Sequence, residues 1–307
     1  MRALAFAFAA LLPFAAPVSA AAQAVCSAPH SSPTLTRAGI GTLGAGQGWV
    51  QVSLYHSRST EFYDVTGVSR PFLAGGEART SSAFVTGAIG VIDGLDVLVQ
   101  LPVHRLVFDD VTGRRQRVGI GDPRFTARIG TALVGRPEIP VSVRASVKLP
   151  GSEFPVDPNL IPLSEGQTDI EIAAETGHAL AGSALHVMGW LGYRWRFEDD
   201  RRGRKPGNER FARLGLGGGV RAMRWELALE ALSGLPLEQQ GLSLETARRR
   251  LVQVAPTVGW NVGAAQLEVS GRLNLSGRNL PSGSSFLAGV VIPFSLSRPK
   301  LLYVQQQ

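Results

Sequence analysis

From Ile139 to Leu149 the side chains sort with a period of two. Ile139, Val141, Val143, Ala145, Val147 and Leu149 share one parity, and Ser142, Arg144, Ser146 and Lys148 share the other. Successive residues of a strand point to opposite faces, so this stretch separates an apolar from a polar face only when extended; a helix would mix them. Gln266–Leu275 repeats the arrangement, with Leu267, Val269, Leu273 and Leu275 opposed by Gln266, Glu268, Ser270, Arg272 and Asn274. The same alternation runs through Trp49–Tyr55, Leu95–Val103, Pro123–Ile129, Asp169–Ala174, Leu185–Phe197, Trp225–Ala231 and Leu251–Trp260, and more weakly through Ser82–Ile89, Ala212–Val220 and Phe286–Phe294. These segments make about twelve strands, each close to the roughly 9–11 residues that a tilted strand needs to cross a bilayer.

The connections supply an independent argument, because bacterial barrels alternate short periplasmic turns with longer external loops. A long polar stretch around Ser57–Arg79 is followed by a tight Ile92-Asp93-Gly94, then by a longer loop with Asp109, Asp110 and Gly113–Arg117. The series continues through short Gly135-Arg136-Pro137, long Pro150–Gln167, short Ala181-Gly182-Ser183, charged Glu198–Asn208, a short turn near Arg221, Gly234–Thr246, short Gly263-Ala264 and Ser276–Ser284. The expectation is an all-β chain, an antiparallel up-and-down transmembrane β-barrel of about twelve strands over residues 47–296. A soluble sandwich also alternates, but it has no need of this long-short order.

Composition agrees with this reading. Charged residues make up 18% of the chain, below the roughly 25% of an average globular protein. A net charge of +7 invites a nucleic-acid reading, yet the bases are scattered among strands and loops rather than gathered on one face, so no nucleic-acid partner is expected. Trp225, Trp260 and Phe294 fall near short-turn ends, and Tyr55, Tyr193, Trp195 and Phe286 nearer long-loop ends, where amphipathic rings favour the two membrane–water interfaces.

The N-terminus bears on location. Met1-Arg2 is basic, Ala3–Ala16 is apolar, and Val18-Ser19-Ala20 and Ala22-Gln23-Ala24 offer small residues for cleavage. Residues 1–24 are expected to be a signal peptide, 25–46 an N-terminal periplasmic segment and 297–307 a C-terminal tail, with the barrel delivered to the bacterial outer membrane by the barrel-assembly machinery. The apolar run is too short to be a spanning helix. Lipidation at Cys26 is disfavoured by Val25 and Gln23, and a lone cysteine forms no internal disulfide.

Four segments carry a family resemblance: Gly119-Ile120-Gly121-Asp122 leading into a strand, Lys148-Leu149-Pro150-Gly151 ending one, Gly166-Gln167-Thr168-Asp169 opening the next, and Gly192-Tyr193-Arg194 within the strand after that. In order and spacing, over Leu95 to about Phe197, the chain resembles the outer-membrane proteins related to phenol meta-pathway degradation transporters. It departs in lacking a Thr between Pro150 and Gly151, and its C-terminal half matches less clearly. The resemblance implies an outer-membrane barrel that passes hydrophobic or aromatic compounds.

If the apolar faces meet lipid, parity assigns Arg124, Arg128, Arg144, Lys148, Glu171, Glu175, Arg194, Arg196, Glu226, Glu230, Glu268 and Arg272 to the lumen, along with Asp169. Such charges can form a selective constriction or an ion-pair network that fills a narrow barrel. The functional expectation is a narrow channel or transporter for small, hydrophobic or aromatic compounds. The alternatives are a closed structural or surface-interaction barrel and, last, an outer-membrane lipid hydrolase. For hydrolysis His56 is the sole outward-facing candidate, and no Gly-x-Ser-x-Gly elbow exists. No Cys/His ligand spacing appears and Gly215–Gly219 lacks the Lys-Ser/Thr of a phosphate loop, so neither metal nor cofactor is expected. The basic runs Arg201–Lys205 and Arg248-Arg249-Arg250 flank external loops, where they are expected either to be solvated or to contact lipopolysaccharide.

Overall fold

The structure, a computed structural model, describes residues 41–111, 113–136, 140–152, 162–180 and 184–296. The expected signal peptide, most of the segment 25–46 and the tail 297–307 lie outside the described residues. Twelve staves form the barrel: β1 (Gln47–Tyr63), β3 (Glu77–Ile92), β4 (Leu95–Asp110), β6 (Arg124–Gly130), β7 (Val141–Lys148), β8 (Asp169–Ala179), β9 (Leu185–Arg196), β11 (Glu209–Val220), β12 (Met223–Gly234), β15 (Arg250–Val262), β16 (Ala265–Arg278) and β17 (Leu280–Ser295). Each pairs antiparallel with its neighbour, and β17 closes on β1 from Gln47↔Ser295 to Tyr63↔Leu280. Closure leaves no stave edge unpaired, which is the condition for a strand structure to sit in hydrocarbon.

Beyond the barrel wall, β2 (Ser69–Pro71) folds back on β1, β5 (Gly113–Ile120) extends the β6 side up along β4, and β10 (Arg204–Lys205), β13 (Leu237–Gln239) and β14 (Leu242–Leu244) make a separate three-stranded sheet. The stretches read as loops at Ser57–Arg79 and Asp109–Arg117 are therefore largely hydrogen-bonded strand. Their polar composition follows from standing above the apolar band, where ladder pairing persists but both faces meet water.

At the opposite end the turns are tight. Gly94 takes φ of 88°, and a Cβ there would approach the Leu133 amide nitrogen to 2.2 Å, so both backbone angle and crowding require glycine.

Alternation decides the two faces. Val97, Val99, Leu101 and Val103 of β4 are exposed to the outside, while Asp96, Leu98 and His104, of the opposite parity, are buried. Phe286, Trp260, Trp195 and Phe294 also point outward. Tyr55 does not: it shares parity with buried Gln51 and Ser53 and lines an interior recess with Ser57 and Leu280, so it faces the lumen rather than an interface.

Candidate functional site: the barrel interior

On the interior of β6, β7, β8, β9 and β11 the side chains form one continuous ion-pair network. At its lower end Arg128 donates to Asp96 at 2.5 and 3.0 Å and approaches Glu175 at 3.8 Å. Glu175 also pairs with Arg144, which reaches Glu171 at 3.4 Å. Glu171 further accepts from Arg124 at 2.8 Å and Arg194 at 3.0 Å. Arg194 continues to Glu209 at 2.7 Å, and Glu209 gathers Arg196 and Arg249 as well. At the top Lys148 binds Glu165, Asp169 and Asp122 at 2.7, 2.9 and 3.2 Å, and Arg196 joins Glu165 and Asp169. Every cation of this network has a carboxylate and every carboxylate a cation, in equal numbers. That balance is what burial demands, since an unpartnered ion in low dielectric costs several kcal/mol.

The segments that carry the family resemblance meet at the upper end of this network. Asp122 accepts from the Gly151 amide at 2.9 Å and the Glu165 amide at 3.2 Å while pairing with Lys148. A Cβ at Gly151 would collide with the Gly121 carbonyl, and one at Gly119 would press on Leu163, which packs with Leu106 and Phe108. Leu163 and Glu165 thus lie inside the barrel mouth, where the Glu165 carboxylate is held by Lys148 and Arg196.

A second, smaller group lies on β11, β12 and β16. Arg213 is shared by Glu226, at 2.5 Å, and Glu230, and Arg272 reaches Glu230 at 3.3 Å. Glu268, on β16, is 5% exposed and has no ion-pair partner among the described residues. The rest of the interior, on β1, β3, β15 and β17, is uncharged: Gln51, Ser53, Thr80, Ser82, Thr86 and Thr257, interrupted by Trp49, Phe84, Ala255, Leu287 and Val291. Its hydroxyls bond locally, as Ser82 does to His104 at 2.7 Å and Thr257 to Ser270 at 2.9 Å.

Between the two walls is a cavity of about 120 Å³. Phe84, Trp190, Phe211, Leu163, Leu251 and Leu280 supply its apolar lining, and Arg124, Lys148, Arg194 and Arg213 its basic one. The Arg213 guanidinium lies 4.9 Å from the Trp190 ring centre and that of Arg194 5.6 Å from Phe211, close enough for cation–π attraction. At the short-turn end residues 41–46 lie against the inner side of β4, β3, β1 and β17: the Leu43 amide donates to Asp96 at 2.7 Å, the Ala45 amide to Asp93 at 2.8 Å, and Leu43 packs on Trp49, Ala88, Leu98 and Val291.

All thirteen charged residues singled out by parity point to the interior. Several more complete the site. Asp96 and Arg213 share parity with the rest and carry the same signal; Glu209 carries it too once β11 begins at Glu209 rather than Ala212. Glu165 and Arg249 had no periodic signal because they enter from loops. Arg249 corrects the reading of Arg248-Arg249-Arg250 as an external basic run: it is 9% exposed and bound inside to Glu209. In the other run Arg202 pairs with Asp199 and Lys205 lies 3.5 Å from Glu238. His56 faces outward with Nδ1 3.1 Å from Ser81 Oγ; its second ring nitrogen has no orienting partner among the described residues, so the third member of a hydrolytic triad is not in place.

No protein-family model matches the chain and no curated protein matches its sequence. Among solved structures it is similar to an outer membrane channel from Pseudomonas putida F1, at 17% identity and a TM-score of 0.69 over 85% of this chain and 100% of that one. Lower-scoring likenesses include the translocator domain of the autotransporter NalP from Neisseria meningitidis, at 12% identity and 0.48 over 83% and 91%, and the toluene transporter TbuX from Ralstonia pickettii, at 10% and 0.43 over 85% and 92%. By its closed antiparallel staves, apolar outer band and similarity in fold to the first of these over 85% of its length, the chain has the fold of a twelve-stranded bacterial outer-membrane β-barrel.

Proposed function

We propose that this barrel is an outer-membrane channel for small molecules of apolar or aromatic character, which travel along the uncharged wall of its lumen. The observation that carries the reading is the cavity bounded by Phe84 and Leu251 on the uncharged wall and by Trp190, Phe211 and the arginines stacked on them on the charged one. Barrel width supports it: eight strands enclose a lumen just filled by side chains, sixteen to eighteen an open aqueous pore, and twelve lie between. The resemblance to proteins related to phenol meta-pathway degradation transporters favours aromatic permeants, and the solved structure of similar fold is itself described as a channel. Exposed Arg58, Arg105, Arg210 and Arg250 stand on the outer face towards the long loops, where their charge suits lipopolysaccharide phosphates.

The test is single-channel conductance of the refolded chain in a planar bilayer, with and without phenol. Stable conductance that falls with phenol, and falls further when Leu251→Trp narrows the cavity, supports the channel. An inserted but silent barrel favours a second reading, a closed barrel whose external loops do the work. The filled charged wall and the packing of residues 41–46 inside the short-turn end favour that alternative.

A further inference from the structure

The outer face carries a row of arginines for which the lumen has no use. Residues directly opposite in an antiparallel ladder share a face. The register sets Tyr193 of β9 opposite Arg210 of β11, Arg210 opposite Ser233 of β12, Ser233 opposite Arg250 of β15, and Arg250 opposite Arg278 of β16. Five neighbouring staves thus present one level, roughly 19 Å long at the usual strand spacing. It faces away from the lumen: Glu209, Phe211 and Arg213 flank Arg210 and are buried inside, whereas Arg210, Ser233 and Arg250 are exposed and Arg278 half-buried. Two to four residues nearer the short turns, Leu191, Leu214, Leu229 and Leu275 are exposed on the same staves. The row therefore stands just above the apolar band, on the side of the long loops.

Left to itself the row is unfavourable, because like charges directly opposite on one face repel and Arg250 and Arg278 are such a pair. Elsewhere near the long loops arginines are met by acids: Arg58 and Arg79 bind Glu77, Arg70 binds Asp64 and Arg115 binds Asp110. Arg210, Arg250 and Arg278 have no such partner among the described residues, and Arg278 Nε is a buried donor without an acceptor. Asp64, in the hairpin whose Gly67 lies against the Gly277 carbonyl of β16, is committed to Arg70, Thr66 and Val68. Unpaired guanidiniums in a row suit phosphate, whose oxygens match their planar fork two at a time. On the external side of the membrane the phosphates belong to lipopolysaccharide, whose lipid A joins two of them to one disaccharide above its acyl chains. Tyr193 and Trp195, edge to face at 4.8 Å, end the row with rings suited to that interface.

We infer that Arg210, Arg250 and Arg278, with Ser233 between them, form a binding site for the phosphates of one lipopolysaccharide molecule on the outside of the barrel. The site rests on the lipopolysaccharide contact read above and narrows it to one stretch of wall; it holds whether or not the lumen conducts.

The test is thermal unfolding of the full refolded chain in detergent, followed by circular dichroism while lipid A, monophosphoryl lipid A or phosphatidylglycerol is titrated in. In the wild type the midpoint rises saturably with lipid A, less with the monophosphoryl form, and without saturation in phosphatidylglycerol. Arg250→Gln and Arg278→Gln each raise the apparent Kd for lipid A on the order of tenfold. Without lipid the same variants melt no lower than the wild type, because their mutual repulsion is gone. Arg221→Gln, which removes a like charge at the short turn between β11 and β12, leaves the affinity unchanged. An equal response to phosphatidylglycerol, or unchanged affinity in both Arg250→Gln and Arg278→Gln, overturns the site. If Arg58→Gln weakens binding as much as Arg278→Gln, the broader contact stands and this row falls as its centre; if the wild type does not respond to lipid A, both fall.

Discussion

Along β8 the interior positions are Asp169, Glu171, Ala173 and Glu175; along β3, further round the barrel, they are Thr80, Ser82, Phe84, Thr86 and Ala88. Both sets are buried and both alternate with residues that face lipid. They solve burial differently. A hydroxyl needs one neighbour, and Ser82 finds it on the adjacent strand in His104. A carboxylate needs several donors, and Glu171 takes its donors from β6, β7 and β9 at once. The uncharged wall is therefore a set of local bargains that can change one at a time. The charged wall is a single structure in which carboxylates are shared between arginines of neighbouring staves and of staves one further on, so that each residue depends on several others.

That contrast is open to direct attack. The largest effect is expected from Glu209→Gln, which strips the shared carboxylate from Arg194, Arg196 and Arg249; unfolding in urea should show a loss of about 3–5 kcal/mol. A loss below 1 kcal/mol would mean the network is slack and the two walls are alike. Next come the outer faces, which should not differ: Ile172→Arg behind the charged wall and Val52→Arg behind the uncharged one should each cost about 2–4 kcal/mol in vesicles, as arginine does near the bilayer midplane. Unequal costs would show that the lipid-facing surface senses what lies inside. Thr257→Val removes only the bond to Ser270 and should cost about 1 kcal/mol, and a network-sized loss there would erase the distinction.

The smallest effect belongs outside both walls, in the hairpin after β1. Arg70 beside Asp64, with hydrogen bonds from Thr66 and Val68, holds the Asp64 carboxyl well below the usual carboxylate range. A depressed folded value means the contribution is present above the ordinary carboxylate range and is lost as pH falls through the folded one. Amide exchange at Thr66 and Val68 should stay slow through mild acid and become fast in Asp64→Asn at any pH, without change in barrel stability. Exchange that quickens already near the ordinary carboxylate range would refute this.

Much of the barrel was legible in the chain because lipid and lumen impose opposite demands on consecutive residues. Val143 and Arg144 need no tertiary information to be separated, and the glycines and short polar runs between strands mark where direction reverses. Where both faces meet water the demand disappears, so β1 runs to Tyr63 and β5 pairs with β4 through sequence that carries no alternation. The partners of the charged wall were only half visible for a related reason. Parity places Glu171 inside, but the carboxylate of Glu165 and the guanidinium of Arg249 arrive from loops, and no local period records that a loop turns inward. Tyr55 failed in the opposite way: an aromatic ring near a polar stretch fits a membrane interface until its register with Gln51 and Ser53 is known.

The seam between β1 and β17 carries a last consequence. These staves are the first and the last to leave the ribosome, and they hold each other along nearly their whole length. A chain halted before residue 280 would offer two raw edges to hydrocarbon, with no internal partner for either. The last stave must therefore be made before insertion can finish, and a nonsense codon that removes β17 should abolish the protein in the membrane rather than shorten it.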